Sequence, residues 1–192
     1  MKTKYPALAC LAVSLLLLPG CYESLTSIAT PDKLAYYDEL VGNYKGVEPG
    51  SGRLTLAKGK DKAYAYEQFD DKDALVNKGS LWLVKLGDEH FYQVSVDGYS
   101  TTDGRPMYAI GRLAVEGSPG SKTLTGYAFK SPETLFGDAL VTSEEYEYTQ
   151  AGERKKSRGL SMPPEKLQSY LAVRSAEMTE PTLKFQQTAS GR

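Results

Sequence analysis

Few residues in this chain of 192 could do chemistry, and His90 is its only histidine. A Ser or Cys nucleophile needs a base within hydrogen-bond reach, usually an imidazole steered by a carboxylate. His90 follows Asp88 and Glu89 at the start of a strand-like stretch, and no Gly-x-Ser-x-Gly elbow exists to pair with it. The expectation is a rim histidine beside a turn. Asp97 and Asp103 flank the polar loop 98–102, a carboxylate pair that could face a sugar, although spacing alone does not identify one. Asp70-Asp71-Lys72-Asp73 lines up oxygen ligands, but Leu75 and Val76 stand where a calcium loop needs a further ligand and a glycine. In Gly117-Ser118-Pro119-Gly120-Ser121-Lys122-Thr123 the Lys follows Ser and opens a strand, so the segment reads as a hairpin turn and not as a phosphate cradle. The expectation is a non-enzyme with no metal and no cofactor.

Two other groupings invite a binding role. Arg154, Lys155, Lys156 and Arg158 crowd into a polar loop expected over 151–158, where they could meet anionic lipid head groups. Tyrosine is abundant, with 14 residues against a single Trp. Most of the tyrosines fall in strand-like stretches, where half-buried phenols suit either a core or a cavity wall. The near-neutral formal charge of -1 argues against a nucleic-acid partner, which normally demands a basic excess.

The first residues give an address. Lys2 and Lys4 precede an apolar run over 7–18, broken only by Ser14 and ending in four leucines. A run of about 12 residues is too short to cross a hydrocarbon core of ~30 Å, which needs about 20. It reads as an export signal over 1–20, outside the folded domain. Leu18-Pro19-Gly20-Cys21 resembles the lipobox of bacterial lipoproteins, with Pro19 where Ala or Ser is commoner. The resemblance implies that Cys21 carries a thioether-linked diacylglycerol and, after cleavage before it, an acylated amine. Tyr22 follows in place of Asp, which by the enterobacterial sorting pattern implies the outer membrane, on its periplasmic side. Multiple acyl chains anchor stably where one alone would be marginal. Cys10 leaves with the signal and Cys21 is lipidated, so the mature chain is expected to fold without a disulfide.

After a lipidated tether over 21–30, a single β-rich domain is expected over 31–187, with a disordered tail over 188–192. Thr30-Pro31-Asp32 has the chemistry of a helix start, and Leu34, Tyr37 and Val41 share one face of a short helix that Gly42 would end. The period then changes from 3.6 to 2. Strands are expected near 42–47, 53–58, 62–69, 81–86, 91–97, 107–116 and 123–130, with another near 141–148, separated by Pro-Gly, Gly-Lys and Asp-Gly turns. Ser161-Met162-Pro163-Pro164-Glu165 opens a helix reaching about Met178, striped by Leu167, Tyr170 and Leu171. Residues 183–187 are expected to return as an edge strand. The chain is thus mainly β, an antiparallel up-and-down barrel or strongly curved sheet of about seven to nine strands, with a short N-terminal helix and one C-terminal helix.

Gly42-Asn43-Tyr44 resembles the Gly-x-Trp of the opening strand in lipocalins, with Tyr in place of Trp. In order of elements, too, the domain is similar to a small lipocalin-like barrel. The resemblance implies non-catalytic binding or carriage of a small amphipathic or apolar ligand. Residues expected to line its site are Trp82, Val84, Tyr92, Val94, Tyr108 and Tyr127. The other expectation is an envelope interaction protein, an assembly factor or an inhibitor of an envelope-attacking enzyme, with a solid core.

Overall fold

The computed structural model describes residues 22–130, 135–150 and 152–188. The signal segment, Cys21 and the end of the expected tail lie outside the described residues. The strands are β1 (Tyr22–Ser24), β2 (Leu34–Ala35), β3 (Gly42–Gly46), β4 (Arg53–Lys58), β5 (Tyr64–Phe69), β6 (Leu75–Leu86) and β7 (Glu89–Val96). They continue as β8 (Tyr108–Glu116), β9 (Thr123–Ala128), β10 (Ser143–Gln150), β11 (Glu153–Leu160) and β12 (Glu180–Gln187). The helix α1 spans Pro164–Arg174 and runs into a 3-10 turn over Ser175–Glu177.

Strands β3 to β9 form an antiparallel meander, and β12 inserts between β9 and β3 to close an eight-strand barrel. The last strand is therefore no edge: Phe185 pairs with Gly46 on one side and Leu124 on the other. Closure removes the two unpaired edges that an open sheet would leave. Strand β8 forks. Its second half pairs with β9, while Tyr108 to Ile110 pair with β1, which continues the sheet into the β10–β11 hairpin.

Alternation along the strands sorts side chains into two layers. Tyr44, Leu54, Leu56, Tyr64, Tyr66, Leu83, Tyr92, Val94, Leu113, Leu124 and Phe185 fill the lumen. Val84, Leu86, Phe91 and Ile110 point outward and pack beneath Leu167, Leu171 and Met178 of the helical segment. A smaller cluster of Met107, Tyr146 and Tyr148 sits under the hairpin, so Met107 does not share a core with Leu113.

Three local expectations are corrected. The short N-terminal helix is a turn, the two-residue strand β2 and a single 3-10 turn over Asp38–Leu40. Leu34 and Ala35 pair with Val84 and Leu83, and that sheet contact outweighs the helical start chemistry. The tether is built into the fold: Ser24 and Ile28 are fully buried. The Ile28 N–H donates to Gln93 Oε1 at 2.6 Å, and Gln168 Nε2 donates to the Ile28 carbonyl at 2.8 Å. Of the polar loop expected over 151–158, residues 153–158 belong to strand β11, which pairs one for one with β10 from Ser143–Leu160 to Gln150–Glu153. Its charged sequence hides a strand because Glu153 to Lys156 are exposed on both faces.

Candidate functional site: the barrel lumen

One end of the barrel is plugged by the segment that precedes β3. Leu40 enters the lumen, and a set of phenols clasps the segment in place. The Tyr37 N–H donates to Tyr64 Oη at 2.7 Å, and that hydroxyl donates to the Tyr37 carbonyl at 3.1 Å. Tyr44 Oη donates to the Leu40 carbonyl at 2.8 Å, and Tyr36 stacks on Tyr64 with centroids 4.8 Å apart. Burial pushes the Tyr64 hydroxyl up to about 12 and raises Tyr44 as well, so both stay neutral donors. His90 belongs to this closure: its Nε2 lies 2.9 Å from Tyr37 Oη and the rings meet edge to face. Its pKa is lowered, chiefly by burial and then by Lys85 across the strand pair.

Above the plug runs an apolar cavity of about 70 Å³. Its walls span the barrel from Leu40, Tyr64 and Leu83 at the plugged end to Leu81, Val96 and Tyr99 at the other, and among the described residues they include no Lys, Arg, His, Asp or Glu. Two side-chain amides line it. Gln68 and Asn77 face each other across β5 and β6, and Asn77 Nδ2 donates to Gln68 Oε1 at 3.4 Å. Leu81, Val96 and Ala109 point inward yet remain partly exposed, which marks this as the open end. Tyr66 stands near it, its hydroxyl raised by burial and then by the charge of Asp97. Tyr92 fills much of the middle. A Cβ on Gly111 would lie 2.5 Å from its hydroxyl, and one on Gly126 would lie 3.2 Å from its ring. The two glycines on β8 and β9 thus clear the space that the phenol occupies.

Of the six residues expected to line a ligand site, Tyr92 and Val94 are in the cavity wall. Trp82 and Val84 have the opposite parity on β6, and Val84 packs in the outer layer; Leu81 and Leu83 take the inward positions. Tyr108 and Tyr127 also pack against the outer layer, and the Arg112 guanidinium sits 4.5 Å from the Tyr127 ring centroid. The error is one of face. A central strand buried on both sides shows no polar alternation, so its apolar residues do not reveal which set faces inward. Leu81, Val96 and Ala109 could have been found by carrying the parity of Tyr92 and Val94 across the hairpins.

The remaining groups are taken up by structure. Asp103 accepts from the Thr101 hydroxyl and pairs with Arg105 Nε at 2.9 Å, and these contacts hold its carboxyl below the usual range. It clasps the β7–β8 loop, while Asp97 stands at the barrel mouth. Asp70 Oδ1 accepts from the Lys72 and Ala74 amides, and Asp73 pairs with Arg53, which lies over the Phe69 ring. The cations split by strand parity: Arg154, Lys156 and Arg158 share one face of β11, and Lys155 takes the other, bonded to Gln150. Glu147 is 3.5 Å from Lys156, and Glu145 stands opposite Arg158. The outward face of the hairpin therefore sets Lys156 and Arg158 across from glutamates and leaves Arg154 across from Thr149.

With this geometry, neither family models, nor curated proteins, nor solved structures yield a match to the chain. The protein is a closed eight-strand antiparallel barrel with an outer helical layer.

Proposed function

We propose that the protein is an outer-membrane lipoprotein facing the periplasm, anchored through acyl chains on Cys21, whose non-catalytic barrel binds or carries a small apolar or amphipathic ligand. The observation that carries the ligand reading is the apolar lumen. A void of about 70 Å³, walled by side chains from Leu40 to Val96 and Tyr99, has room for little more than a slender aliphatic group. It is far below the ~300–1,000 Å³ of pockets for drug-sized molecules. With no charged side chain in its walls, it suits a chain with an uncharged polar end beside Gln68 and Asn77, since an unpaired carboxylate would meet no compensation there. The lipobox at Leu18-Pro19-Gly20-Cys21 supports the anchor.

The test is native mass spectrometry of a Cys21→Ser variant, exported and purified without detergent, compared with its denatured mass. An extra mass released on unfolding is expected. The variant is also expected in the soluble periplasmic fraction, with the wild type in the membrane. A bare mass at natural expression level would favour a second reading, an envelope interaction protein that works through its surface. That reading draws on the smallness of the void and on Leu140 and Val173, which are 70% and 80% exposed.

A further inference from the structure

Lipid-anchored domains are free to tumble when a slack linker separates them from the acylated residue, and here the described sheet begins at Tyr22, the residue after Cys21. Tyr22 is already in the sheet, opposite Ile110, and Ser24 pairs with Leu160 of β11 in parallel. The residues behind it are fixed too: the Leu25 N–H donates to the Leu160 carbonyl at 2.8 Å, and Gln93 and Gln168 hold Ile28. Glu23 accepts from Ser157 Oγ at 2.5 Å and from the Tyr146 hydroxyl, tying β1 to both strands of the hairpin. Adjacent Cα atoms are about 3.8 Å apart, so an anchor on Cys21 has a single peptide unit of slack before the sheet begins at Tyr22.

The parallel register sets Tyr22 level with Arg158, and the N-terminal end of β1 points toward the hairpin tip between Gln150 and Glu153. At ~3.3 Å per residue, β11 continues about 16 Å past that level. Resting on the anchoring reading above, we propose that the β10–β11 hairpin is a membrane-seated surface. The acylated Cys21 holds it against the lipid head groups, where the exposed Arg154 and Lys156 meet lipid phosphates, with Arg158, its guanidinium 5.6 Å from the Phe136 ring centroid, beside them. Because Glu145 and Glu147 stand across from Arg158 and Lys156, charge alone would not bring the hairpin there; the short covalent leash does. Once at the surface, these cations reach phosphate with charge-assisted contacts, and the barrel axis is held at a fixed orientation to the bilayer.

The test uses full-length lipidated protein in vesicles of phosphatidylethanolamine and phosphatidylglycerol that carry a head-group-attached fluorescence quencher. Thr149→Cys places a label on the hairpin, and Asp88→Cys places one on the exposed β6–β7 turn. Lipidated Cys21 offers no free thiol to compete. The hairpin label is expected to be quenched several-fold more than the turn label. A flexible insertion of about twelve Gly and Ser residues between Cys21 and Tyr22 is expected to reduce that contrast, since such a segment spans roughly 20 Å. Equal quenching of the two labels, or an insertion without effect, would overturn the proposal. The intact mass separates the two failures: acyl chains present with equal quenching sink the seated hairpin, and acyl chains absent sink the anchor itself.

Discussion

The two faces of strand β7 carry two different kinds of core. Phe91 is fully buried in the outer layer, among Ile28, Leu167, Leu171 and Met178, in a cluster rich in aliphatic and Met side chains. Tyr92, its neighbour, crosses the lumen among three other buried tyrosines beside a void. Gln93 and Gln168 stitch the outer layer to the N-terminal segment, whereas the lumen is closed at one end by phenols and left open at the other. The difference teaches that the sheet is held from outside. The helix, the loop before it and the buried N-terminal segment press on the barrel wall, so the fold does not rest on lumen packing alone. Phe91→Ala should therefore be among the costliest single changes, about 3–5 kcal/mol by denaturant unfolding. Val94→Ala, on the same strand but beside the void, should cost ~1–2 kcal/mol. Equal losses would erase the distinction.

A sharper test reverses the sign. Ala128 is fully buried in the outer layer and Ala109 lines the lumen void. Ala128→Leu forces extra carbons into a packed space and should destabilise by ~1–3 kcal/mol. Ala109→Leu adds the same carbons where space is free and should stabilise by ~0.5–2 kcal/mol, the usual return on filling a cavity. It should also abolish the extra mass in native spectra. Thermal melts of the two variants beside the wild type decide the matter. Destabilisation by Ala109→Leu would mean that the lumen is already full.

Most of the barrel was legible because its hairpins announce themselves: apart from the start of β6, the period-2 stretches flanking Gly87-Asp88 and Pro119-Gly120 appear as strands within two residues of their expected ends. What was hidden is what tertiary contact decides. The first half of β6, Leu75 to Ser80, reads as a loop because Lys78 and Gly79 break the pattern, yet Asn77 and Leu81 face the lumen. Strand β11 looks like a charged loop because Glu153 to Lys156 are exposed on both faces, so no apolar alternation marks it and only its pairing with β10 makes it a strand. The N-terminal segment looks like a tether because its burial depends on Gln93 and Gln168, both distant in sequence. For the site, the parity was right on β7 and wrong on β6, β8 and β9. Tyr92 and Val94 were readable from alternation, and Trp82 and Val84 were misplaced because β6 is apolar on both faces.

The smallest predicted effect probes the plug that divides the lumen from solvent at its closed end. His90 is half-buried against Tyr37, with Lys85 across the strand pair and Glu89 beside it in sequence. Burial, then Lys85, lowers its pKa from the ordinary 6.5, and Glu89 pulls only partly the other way. The unfolded chain therefore takes up the proton first as pH falls. Stability is present in full above about 6.5 and is lost on acidification through that value, levelling off once the folded state is protonated too. Thermal melts between pH 7.5 and 5.5 should show the wild type losing more stability than His90→Gln over the same interval, before carboxylates begin to titrate. Tyr64 and Tyr44 of the plug do not ionise in this range, since burial holds Tyr64 near 12 and raises Tyr44 as well, so a slope that differs between the two proteins belongs to the imidazole. Parallel curves would mean that the plug leaves His90 as well solvated when folded as when unfolded, and the closed end would then be looser than the Tyr37–His90 contact implies.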